Sequence, residues 1–172
     1  GAFLREDLGG IPSADPLRTG DPRSGQGKWL TFDPESYSYR LSAEGRAALQ
    51  PVFDNWGYDT SKVRVAFGSS ASTNGNAAFT IGDDVIINRD SWDRRAPDPQ
   101  AQLRLLAHEI THSVQYRDHG KAAFLARYAT EYPRADNYKP PARLVNTRIE
   151  IVDHLDERYT LDQIAERVRM EF

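Results

Sequence analysis

Leu105-Leu106-Ala107-His108-Glu109-Ile110-Thr111-His112-Ser113-Val114-Gln115 is the stretch on which the fold turns. Just upstream, Asp98-Pro99 is a helix start, with Asp capping and Pro at the first helical position, where its missing N–H costs nothing. The helix should run to about Arg117 and break at Asp118-His119-Gly120. At about 100° per residue, Leu103, Leu106, Ala107, Ile110 and Val114 gather on one side. His108 and His112 fall on the opposite side, about 40° apart, with Glu109 beside them and Leu105 and Tyr116 flanking. An apolar stripe on one side and titratable groups on the other predict a helix sandwiched between a core and a site.

Histidines at i and i+4 lie one above the other, with Cβ atoms about 5–6 Å apart. Two imidazoles so placed can converge on one tetrahedral Zn²⁺ at about 2.0–2.1 Å. Glu109 then flanks the ion without ligating it and is placed to take a proton from a metal-activated water. His108 and His112 are therefore candidate metal ligands, and Glu109 is the candidate general base. A catalytic zinc takes a third protein ligand and keeps one position open. A third His six residues after the second is absent: position 118 is Asp, and His119, one further on, reads as a helix-end residue. If a second helix over Lys121 to about Tyr132 folds back near 119–120, Glu131 stands as far beyond the turn as His108 stands before it. Glu131 also shares a stripe with Phe124 and Tyr128, and a carboxylate on a buried stripe wants a partner, which a metal supplies. Glu131 is the expected third ligand, with Glu150, Asp153 and His154 as rivals. Gln115 is placed to orient a site residue. Tyr128, Tyr132, Tyr138 and His154 are candidate oxyanion donors, and each also fits a packing or surface role.

Outward from this helix the signals are ordinary. Residues 1–28 show no hydrophobic period, and Gly9-Gly10-Ile11-Pro12 and Thr19-Gly20-Asp21-Pro22 read as an extended arm or linker, leaving 29–172 as one domain. Trp29 to Phe32 and Tyr37 to Leu41 suit short strands. Ser42 caps a helix over about 43–56, which Pro51 should kink or split and Gly57 should stop. Lys62 to Phe67 alternates apolar and polar residues, and Ala77–Ile81 and Val85–Asn88 flank Gly82-Asp83-Asp84 as a hairpin. Val85 to Ile87 is a candidate edge for pairing with an extended peptide. Residues 134–147 look irregular, and Leu161 to Met170 reads as a terminal amphipathic helix.

Composition excludes several classes. The 172 residues carry a formal net charge of −3 with both signs scattered, which argues against a nucleic-acid footprint. No apolar run nears the ~20 residues that span a bilayer. Cysteine is absent, so a disulfide scaffold, a thiol nucleophile and a cysteine-ligated metal are excluded. The chain starts at Gly1 and its single methionine is Met170, so it reads as a processed product or an excised piece.

The eighteen residues between His112 and Glu131 resemble the spacing of gluzincin metallopeptidases of the aminopeptidase type. More locally, Val63-Arg64-Val65, Asn74 through Asn88 and Leu105 through Gln115 resemble the metallopeptidase-like domain of core proteins of extracellular contractile injection systems, over about residues 58–119. The resemblance implies an α+β, zincin-like fold: a small twisted, mostly antiparallel sheet packed on the HExxH helix, with a helical C-terminal part. It places His108 and His112 on the zinc ligands and Glu109 on the general base. The segment Asn-Pro-Leu-Glu-x-x-Ala of some relatives has no clean copy here. The expected activity is zinc-dependent peptide-bond hydrolysis on a peptide or protein substrate. The alternatives are a catalytically idle binding, cargo or toxin module of the same shape and a zinc hydrolase acting on a non-peptide amide. An injection apparatus is the expected partner, and secretion or delivery by a bacterial system the expected localisation.

Overall fold

A computed structural model describes residues 26–172; of the expected arm, residues 1–25 lie outside the described residues. The chain opens with a hairpin of β1 (Leu30–Asp33) and β2 (Ser38–Leu41), registered from Leu30 opposite Leu41 to Asp33 opposite Ser38. The Ser42 hydroxyl accepts from Gly45 N–H at 3.0 Å and starts α1 (Ala43–Phe53). Pro51 is exposed and α1 runs through it, tightening into a 3₁₀ turn at Asp54–Trp56 before Gly57. The missing N–H therefore falls near the helix end, where the bonding pattern changes anyway.

Strands β3 (Arg64–Gly68), β4 (Ala78–Ile81) and β5 (Asp84–Asn88) complete a five-stranded sheet in the order β1-β2-β3-β5-β4. β3 and β5 pair in parallel and the other neighbours antiparallel, so the fold is α+β with a mixed sheet. Gly82 takes a φ of 60° in the β4–β5 turn, the left-handed conformation that the hairpin reading expects of a glycine. β5 is interior, contrary to its reading as an edge. The edge beside the later site is β4, because the chain passes β5's place before returning to fill it.

The helices follow from their caps. Asn88 accepts from Ser91 N–H and starts α2 (Arg89–Arg95), a helix absent from the sequence reading. Asp98 accepts from Gln100 N–H ahead of Pro99, starting α3 (Pro99–His119). Gly120, with φ 87°, lets the chain turn into α4 (Lys121–Glu131). A four-residue helix, α5 (Ala142–Val145), interrupts the otherwise irregular 134–147 stretch. Thr160 and Gln163 form a reciprocal capping box that starts α6 (Leu161–Arg169).

α3 is the hub. Leu106 through Tyr116 are all buried. Leu106, Ile110 and Val114 pack with Val65, Val85 and Ile87 of the sheet and with Leu49 and Phe53 of α1, all with essentially no exposure. Each such side chain contributes about 1.5–3 kcal/mol of apolar burial. On its other side α3 packs against α6, which runs antiparallel to it: Asp162 lies by His112, Glu166 by His108, and the Phe172 carbonyl accepts from Gln100. The β4–β5 turn lies at the C-terminal end of α3. Tyr58 donates there to Asp83, and Arg117 binds the Trp56 and Gly57 carbonyls.

Candidate metal centre

Three buried groups meet where α3 faces α6: His108, His112 and Asp162, with ligand atoms close enough to hold one ion. His108 Nε2 and His112 Nε2 are 3.3 Å apart. Asp162 Oδ1 lies 3.1 Å from the first and 2.8 Å from the second.

The tautomers follow from the surrounding bonds. Gln115 Nε2 donates to the Leu161 and His154 carbonyls, which leaves Gln115 Oε1 as the acceptor facing His112 Nδ1 at 2.8 Å. His112 Nδ1 therefore carries a hydrogen. Glu166 Oε2 lies 2.7 Å from His108 Nδ1, so that nitrogen carries one too. In the neutral imidazoles both Nε2 atoms then present lone pairs to each other and to a carboxylate oxygen. Three converging lone pairs repel unless a cation sits among them. Two nitrogens about 2.0–2.1 Å from a tetrahedral ion are separated by ~3.3 Å, the spacing of the pair. The donor set fits a divalent metal, and the outer bonds from Gln115 and Glu166 are of the kind that orient metal-binding histidines.

With no metal present, a proton serves as the cation. Burial pulls the His108 pKa down, but the bonds to Asp162 and Glu166 outweigh it and raise it from 6.5 to about 10. Asp162 is pushed the other way: burial alone would raise its pKa, yet the two imidazoles hold it well below the usual carboxylate range. Its second oxygen accepts from Asn137 Nδ2 at 2.7 Å, and its place in the first turn of α6 favours the charged form.

Glu109 is buried one step around α3 and lies outside the ligand group. The Thr80 hydroxyl of β4 is 2.8 Å from its Oε1, fixing the carboxylate against the strand edge. A cleft of about 830 Å³ opens over these groups. One wall is the Asn74–Ile81 segment, and the other is the aromatic stripe of Phe124 and Tyr128 on α4 and Tyr132 just past its end. Tyr132 also reaches Asn76 across the rim at 3.3 Å. Tyr138 stacks on His108 at 5.9 Å. Burial and the Asp162 charge push the Tyr128 and Tyr138 phenols up, so both remain O–H donors.

The structure brings His108, Glu109, His112 and Gln115 together as the sequence reading expects. It places Glu131 elsewhere: one oxygen accepts from Leu161 N–H at the start of α6, the other from Arg127 Nε, both at 2.7 Å. Phe124 and Tyr128 do face His112, as the stripe argument requires. Glu131, one turn beyond, meets the first amide of α6 and the Arg127 guanidinium instead, and these are sufficient partners for a carboxylate. The rivals also lie outside the ligand group. Glu150 is exposed near Arg148, Asp153 is exposed and accepts from Leu155 N–H, and the His154 ring pairs with Asp118. Sequence reasoning missed Asp162. Its signal was the Asp162/Glu166 pair, which repeats on α6 the i, i+4 spacing of His108/His112, just inside the Thr160–Gln163 cap.

Residues 40–120 match the family model of the eCIS core domain, which links this part of the chain to extracellular contractile injection systems. The match covers the sheet and α3 and stops short of α6, hence short of Asp162. Neither the curated proteins nor the solved structures gave a match. Among the described residues, no helix is long and apolar enough to cross a membrane.

Proposed function

We propose that this chain is a zinc-dependent peptidase whose metal is held by His108, His112 and Asp162, with Glu109 as general base. The observation that carries the reading is the convergence of two imidazole lone pairs and a carboxylate oxygen beside a buried, unligating glutamate, at the floor of a cleft with a strand edge as its wall. When bound, zinc supplies Lewis acidity, polarising a carbonyl and acidifying a water. The residues supply the rest. The outer edge of β4 offers backbone N–H and C=O groups to an extended peptide. Glu109, held by Thr80, takes the proton of the attacking water and delivers it to the leaving amine. Tyr138 or Tyr128, both protonated, supplies a hydrogen bond to the developing oxyanion. Tyr132, turned to Asn76, and His154, paired with Asp118, are committed elsewhere. The eCIS core match supports action as part of, or cargo for, an injection apparatus, outside the cell that makes it.

The test is Glu109→Gln, which keeps size and removes basicity. Zinc-loaded wild type should cleave members of a mixed peptide library near neutral pH. The variant should keep one equivalent of zinc and lose about 10²–10⁴-fold in rate. Absence of cleavage by zinc-loaded wild type would favour the idle module, and equal rates in both proteins would remove Glu109 from the chemistry.

A further inference from the structure

The cleft is chemically lopsided. Its floor follows α3, from Ala101 and Leu105 through His108 and His112 to Tyr116. At the Tyr116 end the lining is aromatic and apolar. At the Ala101 end it is cationic, because Arg95 at the end of α2 and Arg169 at the end of α6 both line it.

The two guanidiniums carry an unbalanced charge. Arg95 Nη1 is spent on Ser91, on its carbonyl at 2.9 Å and on its hydroxyl, and no carboxylate pairs with Arg95 among the described residues. Among the described residues Arg169 has only Glu166 Oε1 at 3.8 Å, and the other oxygen of that carboxylate is committed to His108. That one carboxylate is thus divided between Arg169 and an imidazole N–H. Burial and the repulsion of Arg94 and Arg169 make Arg95 easier to deprotonate, as expected of a cation short of a counter-charge.

The polarity of a bound chain follows from the sheet. The β4–β5 turn sits at the C-terminal end of α3, so β4 runs alongside α3 in the same direction, with Asn76 toward the arginines and Ile81 away from them. A peptide added antiparallel to β4, the better-bonded arrangement, runs from Ile81 toward Asn76. Its C-terminal portion then approaches Arg95 and Arg169. Asp162 and Arg169 are seven residues apart on α6, about 10 Å along the axis. At about 3.3 Å per residue, that is about three residues past the metal ligands, or two once the lean of helical side chains toward the helix N-terminus is allowed for.

We infer that Arg95 and Arg169 form a carboxylate subsite that selects peptides bearing a carboxylate two or three residues C-terminal to the bond held at the metal centre. The carboxylate comes from an acidic side chain or from a free chain end. This inference rests on the peptide reading of the cleft and deepens it. A guanidinium pair suits this ligand, since its planar donors match a carboxylate's two oxygens.

The experiment measures binding as well as turnover. Zinc-loaded, full-chain Glu109→Gln is titrated with fluorescent peptides that differ by Glu or Gln at these positions, each with a free or an amidated C-terminus. The carboxylate forms should bind about tenfold more tightly, an advantage that shrinks with salt and falls to near unity in Arg95→Gln and Arg169→Gln versions. Arg169→Gln, altering a half-exposed side chain, serves alone if loss of the Ser91 bonds unfolds Arg95→Gln. A preference tied only to the free chain end identifies that source, and one tied only to Glu identifies a side chain. Equal binding of all four peptides overturns the subsite, even if wild type cleaves them. Carboxylate-dependent binding without cleavage by wild type keeps the subsite and removes the peptidase reading.

Discussion

Asp162 and Glu131 are both carboxylates on buried surfaces, yet they do different work because their neighbours differ. Asp162 faces two imidazole lone pairs, whereas Glu131 faces a guanidinium and a helix-end amide. Asp162→Ala should therefore abolish tight zinc binding, read by metal analysis after dialysis. Glu131→Ala should retain the zinc and lose about 1–3 kcal/mol of stability, read by urea denaturation, because a partly buried guanidinium and a helix-end amide lose their acceptor. Loss of zinc in Glu131→Ala with intact fold would return Glu131 to the metal. Acid should act on the same cluster. The raised His108 pKa means that its proton stabilises the metal-free fold fully below about 6.5 and loses that contribution as pH rises through about 10. The depressed Asp162 pKa works in the other sense, contributing above its ordinary value of 3.8 and fading as acid titrates it. Metal-free protein should accordingly be most stable between these limits, with denaturation midpoints falling on either side. Zinc must displace the His108 proton, so zinc affinity should fall as pH is lowered from about 10 through neutrality.

At the scale of elements, the metal centre depends on where α6 begins. Its first turn carries Asp162, and that turn is fixed by the Thr160–Gln163 box, whose Gln163 amide also donates to the Asp136 and Lys139 carbonyls. Thr160→Ala should cost about 1 kcal/mol in stability. It should also weaken zinc binding, because Asp162 is no longer held in register with His112. Unchanged zinc affinity would mean that Asn137 alone positions the carboxylate. The caps also mark what was legible in sequence. Ser42, Asp98-Pro99 and Gly120 announce α1, α3 and the turn into α4, because capping is local chemistry. α2 was hidden because its cap, Asn88, is also the last residue of a readable strand. The interior place of β5 was not legible: its hairpin with β4 is local, but its parallel pairing with β3 joins residues 20 apart, such as Arg64 and Asp84, and no turn signal announces it. Asp162 escaped for the same reason. Its burial comes from docking a helix about 50 residues downstream, and nothing near it in sequence carries that contact.

Across the whole molecule, α3 joins two halves of unequal strength. Toward the sheet it is held by Leu106, Ile110 and Val114, fully buried against aliphatic strands. Toward α6 the interface is divided, with Leu161, Ile164 and Val168 supplying apolar burial beside the polar group of His108, His112, Asp162 and Glu166. An ion bound there ties α3 to α6 and stabilises the folded state by mass action, about 2.7 kcal/mol at a free zinc concentration one hundred times Kd. For a domain of this size each kcal/mol moves Tm by about 2–4 °C. Calorimetry should thus show zinc raising Tm by about 5–10 °C and chelation reversing it. Asp162→Ala should show no zinc response, and Glu109→Gln should keep the full response, since Glu109 is not a ligand. A wild-type Tm that ignores both zinc and chelator would mean that the cluster holds protons and no metal.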